Sequence, residues 1–185
     1  LENEYKKRMV QTLSAFNSDS SFPLKPQKVI ADISQVMTTE DLLVCDMGSH
    51  RFWVSQMFPA PGPGTVILSQ NHGATGFALA GAIGAKVAQP QRRVIALCGD
   101  GGFLAGCAEL ATARRLDLPV VIVVLSDNHL GYIRSLQMKQ FQNPIATDLV
   151  NPDFALLAQS FGAKGVKLEK DASLSDAISE AWRQS

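Results

Sequence analysis

RVIALCGDGGFLAG, residues 93–106, runs through five apolar residues after Arg93, stops on Gly99-Asp100-Gly101-Gly102, and at once turns apolar again. A short unbroken apolar run bounded by glycine is the pattern of a strand buried on both faces. RRVIALCGD (92–100) has three counterparts: DLLVCD (41–46), TVILS (65–69) and LPVVIVVLSD (118–127). Helical patterns lie between them. Pro26 opens one in which Val29, Ile30, Ile33 and Val36 share a face. GSHRFWVSQMF (48–58) ends before the turn cluster PAPGPG, and GATGFALAGAIGAKVA (73–88) carries small residues where a helix must approach a neighbour closely. FLAGCAELATARRL (103–116), segments near 130–140 and 153–161, and SLSDAISEAWRQ (173–184) complete the helices. Doubly buried strands alternating with helices predict an α/β fold, a doubly wound, mostly parallel sheet with helices on both faces.

In such sheets ligands sit beyond the carboxyl ends of the strands. Asp100 and Asp127 each stand at a strand end that leads into a helix, and helix amino ends favour anions. Gly99, Gly101 and Gly102 let the backbone approach an anion with amide hydrogens exposed. Two carboxylates beside an anion repel it and each other, by about 1 kcal/mol at ~4 Å in water and several times that near a protein surface. A Mg²⁺ ion shared between carboxylates and phosphate oxygens resolves the conflict. Gly-Asp-Gly-Gly alone is also an ordinary tight turn, and Asp127 alone an ordinary helix cap. The specificity lies in the pair, separated by one full helix. GATGFALAGAIG lacks the glycine spacing of a dinucleotide fingerprint.

Composition excludes several classes. Lys plus Arg (17) equals Asp plus Glu (17), so charge does not recruit nucleic acid or an anionic membrane. VVIVVL (120–125) is far short of the roughly 20 apolar residues of a membrane span. Cys45, Cys98 and Cys107 are odd in number, and two lie in apolar runs; they suggest reduced thiols and a cytoplasmic location. The polar segment 1–25 suggests a linker from a preceding domain, with the domain itself over 26–185.

GDGGFLAGCAELATARRLDLPVVIVVLSDNHLGYI (99–133) resembles the signature of thiamine-diphosphate-dependent enzymes. DMGSHRFWVSQ (46–56) and NHGATGFALAGAIGAK (71–86) resemble stretches of the acetolactate synthases. The resemblance covers most of residues 26–169 and corresponds to the carboxy-terminal, diphosphate-binding third of those enzymes. It implies thiamine diphosphate and Mg²⁺ as cofactors. It implies Asp100 and Asp127 as metal ligands through their side chains and His129 through its carbonyl. Gly99, Gly101 and Gly102 would frame the diphosphate, with Ser49 and His50 reaching its other oxygens. Gly73 would present a carbonyl to the aminopyrimidine, Thr75 would sit under the bend between the two rings, and Tyr132 and Ile133 would lie near the thiazolium.

Three positions depart from the pattern. Asp127 stands where many relatives have Asn, Thr75 where a larger apolar side chain is usual, and Leu136 where biosynthetic synthases carry Trp. The resemblance also implies that the activating Glu belongs to a pyrimidine-binding domain of the same or another chain. Glu109, placed mid-helix by the pattern, is a poor substitute. The domain would then lack its last strand, and no catalytic side chain is expected within it. The implied function is decarboxylation of a 2-oxo acid or carboligation in a homodimer or homotetramer of the full-length enzyme. The alternatives are a separate subunit of a two-chain decarboxylase and a non-catalytic Mg²⁺-phosphate-binding module.

Overall fold

The computed structural model describes residues 2–170 and 172–184. In chain order its elements are α1 (Glu2–Ser14), α2 (Pro26–Val36), β1 (Leu42–Cys45), α3 (Ser49–Met57), β2 (Val66–Leu68), α4 (Phe77–Ala88) and β3 (Val94–Gly99). There follow α5 (Asp100–Gly106), α6 (Glu109–Arg115), β4 (Val121–Leu125), α7 (Gly131–Phe141), α8 (Phe154–Ser160) and α9 (Leu174–Arg183). The four strands form one parallel sheet in the order β2-β1-β3-β4.

Period-two alternation sorts the strand side chains between two cores. Leu43, Cys45, Ile95, Leu97 and Val123 pack with Val29, Ile30 and Ile33 of α2, Val54 of α3 and Ile178 of α9. Leu42, Val44, Val94, Ala96 and Cys98 face the other way, against Leu79, Ala82 and Ile83 of α4, Phe103 of α5 and Leu110 of α6. Each face of the sheet is therefore covered, which is why these strands carry no alternating polar residues.

Local chemistry sets the helix ends. Pro26 occupies the first turn of α2. Asp153 caps α8 by accepting from the Leu156 amide (3.0 Å), and Ser173 caps α9 by accepting from that of Asp176 (3.2 Å). At the sheet's amino edge, buried Asp41 accepts two bonds from Arg93 (2.7 and 2.6 Å). The same guanidinium lies 4.0 Å from the centre of the Trp182 ring, so α9 is fastened to the start of β3.

Three expectations are corrected. The presumed linker contains α1, whose Leu13 is buried in the core while Phe16 packs against it. The helix expected over 103–116 is two helices, parting at Cys107 and Ala108, and the first begins at Asp100 itself. Glu109 thus opens α6 instead of lying mid-helix.

Candidate functional site

Two helices leave adjacent strands toward opposite faces. α3 follows β1 onto the first face, and α5 follows β3 onto the second. The carboxyl ends of β1 and β3 therefore border the crevice where the winding of the sheet reverses, the place where open α/β sheets bind ligands. His50 at the start of α3 reaches across it. A Cβ built on Gly99, at the end of β3, would lie 3.4 Å from His50 Cε1.

Asp100, only 2% exposed, knots the ends of β3 and β4 together. Its Oδ1 accepts from the Gly101 amide (2.8 Å). Its Oδ2 accepts from the amides of Asp127 (3.2 Å) and Asn128 (2.8 Å) and from Asn151 Nδ2 (2.8 Å). The two successive amides converge on one acceptor, and the chain then turns at Asn128, whose φ of 60° is a left-handed geometry that asparagine tolerates. Asp127 Oδ1 accepts from the His129 amide (3.0 Å). Residues 128–130 then pair with 147–149: Leu130 donates to the Thr147 carbonyl (2.7 Å) and Leu149 to that of Asn128 (2.8 Å). Both bonds bypass His129, whose carbonyl stays outside this ladder.

The acceptors on these residues are hard oxygens: Asp100 Oδ1 accepts a single bond, Asp127 carries a second carboxylate and His129 a main-chain carbonyl. That set suits Mg²⁺, which takes one or two carboxylates and fills its remaining positions with water or phosphate oxygen. Among the described residues no three His, Cys, Asp or Glu side chains converge as an all-protein metal cage would require.

The other predicted residues lie on α3, α5, α7 and the loop before α4. Ser49 begins α3, and a Cβ on Gly131 would lie 3.2 Å from Asp127 Oδ2 and 3.8 Å from Ser49 Oγ, so α3, the loop after β4 and α7 meet there. A Cβ on Gly101 would fall 2.6 Å from Leu130 Cδ2, and one on Gly102 2.8 Å from Asp46 Oδ2. The amide of Gly101 is engaged by Asp100, whereas that of Gly102 is among the first four of α5, which have no partner within the helix. Gly73, at φ 58°, packs on Met47, and a Cβ there would come within 2.8 Å of Met47 Cε. Thr75 is exposed in the turn before α4. Tyr132 and Ile133 open α7, the Tyr132 ring lying 5.1 Å from that of Phe52.

Two residues escaped the sequence reading. Asp46, fully buried, accepts from the amides of Met47 (2.6 Å), Gly76 (3.1 Å) and Ala78 (3.4 Å), and so fastens the turn before α4 to the end of β1. Asn151 supports Asp100 from 51 positions away. A lone Asp after a strand and an Asn before Pro each signal a turn, but neither signals its distant partner.

His50 is 6% exposed, and its Nε2 is buried without a hydrogen-bond partner. Burial pushes its pKa below the usual 6.5, against the opposing pull of the Asp46 and Asp100 charges and a hydrogen bond to the Asp46 backbone. The unfolded chain therefore takes up a proton first as pH falls. The His50 contribution to stability is complete above about pH 6.5 and declines below it, at up to about 1.4 kcal/mol per pH unit. Urea unfolding at pH 7.5 and 5.5 should show a smaller loss of stability in His50→Asn than in the wild type. Equal losses would place the titration elsewhere.

Two of the three thiols are held protonated. Cys45 is pushed up to about 12, first by burial and then by the Asp46 charge, and Cys98 is raised by the same effects. Among the described residues no helix is long and apolar enough to cross a membrane.

With this geometry in place, comparison with known proteins is informative. The family described as "Thiamine pyrophosphate enzyme, C-terminal TPP binding domain" matches residues 46–185. The chain is 33% identical over 168 residues to an acetolactate synthase of Bacillus subtilis (strain 168), covering 91% of this chain and 29% of that protein. It is 34% identical over 155 residues to the acetolactate synthase large subunit of Lactococcus lactis subsp. lactis (strain IL1403), covering 83% of this chain and 27% of that one. A similar likeness, 34% over 139 residues, holds for the isozyme 2 large subunit of Escherichia coli (strain K12), covering 74% of this chain and 25% of that protein. The chain thus spans less than a third of the length of these relatives.

Proposed function

Because the chain belongs to the thiamine-diphosphate-dependent enzymes, as their C-terminal cofactor-binding domain, we propose that its switch-point crevice serves a 2-oxo acid decarboxylase or carboligase of the acetolactate synthase type. The supporting observation is the knot of Asp100 with the 127–128 amides, beside the unpartnered Nε2 of His50. Asp100, Asp127 and the His129 carbonyl would hold Mg²⁺. Gly102, framed by Gly99 and Gly101, would offer its amide to the diphosphate, the Gly101 amide being taken by Asp100, and Ser49 and His50 would contribute their side chains. One His50 ring nitrogen donates to the Asp46 backbone, which leaves Nε2 an acceptor in the neutral imidazole, so a bond from Nε2 to a diphosphate oxygen would require His50 to take up a proton.

The Gly73 carbonyl would orient the aminopyrimidine, Thr75 would support the junction of the two rings, and Tyr132 with Ile133 would flank the thiazolium and keep water from it. Asp46 keeps the turn bearing Gly73 and Thr75 in register with the other two segments. When bound, the cofactor supplies a ring that takes up the electron pair released by decarboxylation; the protein's part is placement and charge. The group that activates the cofactor, a glutamate, would come from a pyrimidine-binding domain of the same or another chain within a homo-oligomer. Pyruvate is the substrate that kinship suggests.

Thiamine diphosphate titrated with Mg²⁺ into the chain, alone and paired with a pyrimidine-binding domain, tests this. Binding is expected in both cases, with release of CO₂ from pyruvate or another 2-oxo acid in the paired state. Failure to bind even when paired would overturn the reading.

A further inference from the structure

Asn151 lies outside every stretch that drew attention in the sequence, yet it is held as firmly as the carboxylates. The pairing of 147–149 with 128–130 ties its amino side to the end of β4. On its carboxyl side Pro152 restricts the backbone to extended conformations, and Asp153 caps α8. From this fixed point Asn151 Nδ2 donates to Asp100 Oδ2 (2.8 Å) and to Ser126 Oγ (3.2 Å). Its Oδ1 is buried without a partner, so the donor side alone orients the amide. The reverse orientation would set the amide oxygen against a carboxylate.

The bond makes the two oxygens of Asp100 unequal. Oδ2 accepts three bonds, from Asp127, Asn128 and Asn151, and its lone-pair directions are filled. Oδ1 accepts only the Gly101 amide and keeps a direction open. Among the described residues no Lys or Arg pairs with Asp100, so its charge is solvated by neutral donors and stays available to a cation. We infer that Asn151 is a positioning residue, which fixes the Asp100 carboxylate so that Oδ1 is the oxygen offered to the divalent ion. This rests on the assignment of Asp100 as a metal ligand. Outer partners of this kind set ligand orientation, and their loss typically weakens metal affinity about 10–100-fold.

The test uses the intact protein with saturating thiamine diphosphate and Mn²⁺ in place of Mg²⁺, the free ion being counted by electron paramagnetic resonance. Asn151→Leu keeps the shape and removes the donor, and Asn151→Ala is a second, smaller replacement without one. Both are expected to bind Mn²⁺ about 10–100-fold more weakly with unchanged circular dichroism in the metal-free state. Asn151→His, whose Nδ1–H can replace the amide donor, should recover most of the affinity. Asp100→Asn is the control. If it loses Mn²⁺ while both donor-less variants bind as the wild type does, the inference about Asn151 is overturned and the site stands. If Asp100→Asn itself binds normally, the site assignment falls. Unfolding of both donor-less variants would make Asn151 a folding residue and likewise overturn the inference.

Discussion

Asp100→Asn should abolish the Mg²⁺ dependence of thiamine diphosphate binding. Calorimetric titration of the wild type with Mg²⁺ and with chelator should give affinities at least about 100-fold apart, beyond what outer partners of a metal contribute. In the variant the two titrations should coincide. The substitution preserves shape and removes the charge that a divalent ion needs. It also turns one acceptor into a donor. If the amide oxygen keeps the Asp127, Asn128 and Asn151 bonds, the new NH₂ confronts the Gly101 amide. A stability loss of about 1–3 kcal/mol should accompany the functional one, as for any buried donor left unpaired. Cofactor affinity that still responds to Mg²⁺ as in the wild type would refute the role given to this carboxylate.

Asp46→Ala should produce the largest loss of stability, about 3–5 kcal/mol in urea unfolding, because one buried amide (Ala78) and two part-buried ones (Met47 and Gly76) lose their acceptor together. Cofactor affinity should fall as well, since the turn carrying Gly73 and Thr75 is fastened at Gly76. Gly102→Ala attacks the same contact from the other side, placing a methyl group 2.8 Å from Asp46 Oδ2. With Asp46 held by three amides neither partner can yield, and overpacking of this kind costs about 1–3 kcal/mol. A loss below about 0.5 kcal/mol in Asp46→Ala would mean that these bonds contribute nothing in solution.

The sheet was legible because its strands are buried on both faces. VIALC, LLVC and VIVVL need no partner to be recognised, and each lies within the element it predicts. The Gly-Asp-Gly-Gly stop was legible as a strand end leading into a helix. What escaped depends on contacts between distant segments. The break at Cys107–Ala108 lies beside Gly106, where a Cβ would come 3.1 Å from the Gly76 carbonyl, an approach invisible to periodicity. α1 was missed because, among its described side chains, Leu13 alone is buried in the core, too little to make an apolar stripe. Asp46 and Asn151 were missed because each acts through hydrogen bonds spanning 30 positions or more.

α7 carries Tyr132 and Ile133 yet has no fully buried side chain. Its anchorage comes from the backbone pairing of the segments at either end and from a few side-chain contacts, among them Arg134 with Asp148 and Tyr132 with Phe52. Inheritance can therefore rewrite this helix almost without penalty to folding, while the knot at the strand ends tolerates no change. Divergence among such proteins has its freest ground there, in the wall proposed to flank the thiazolium.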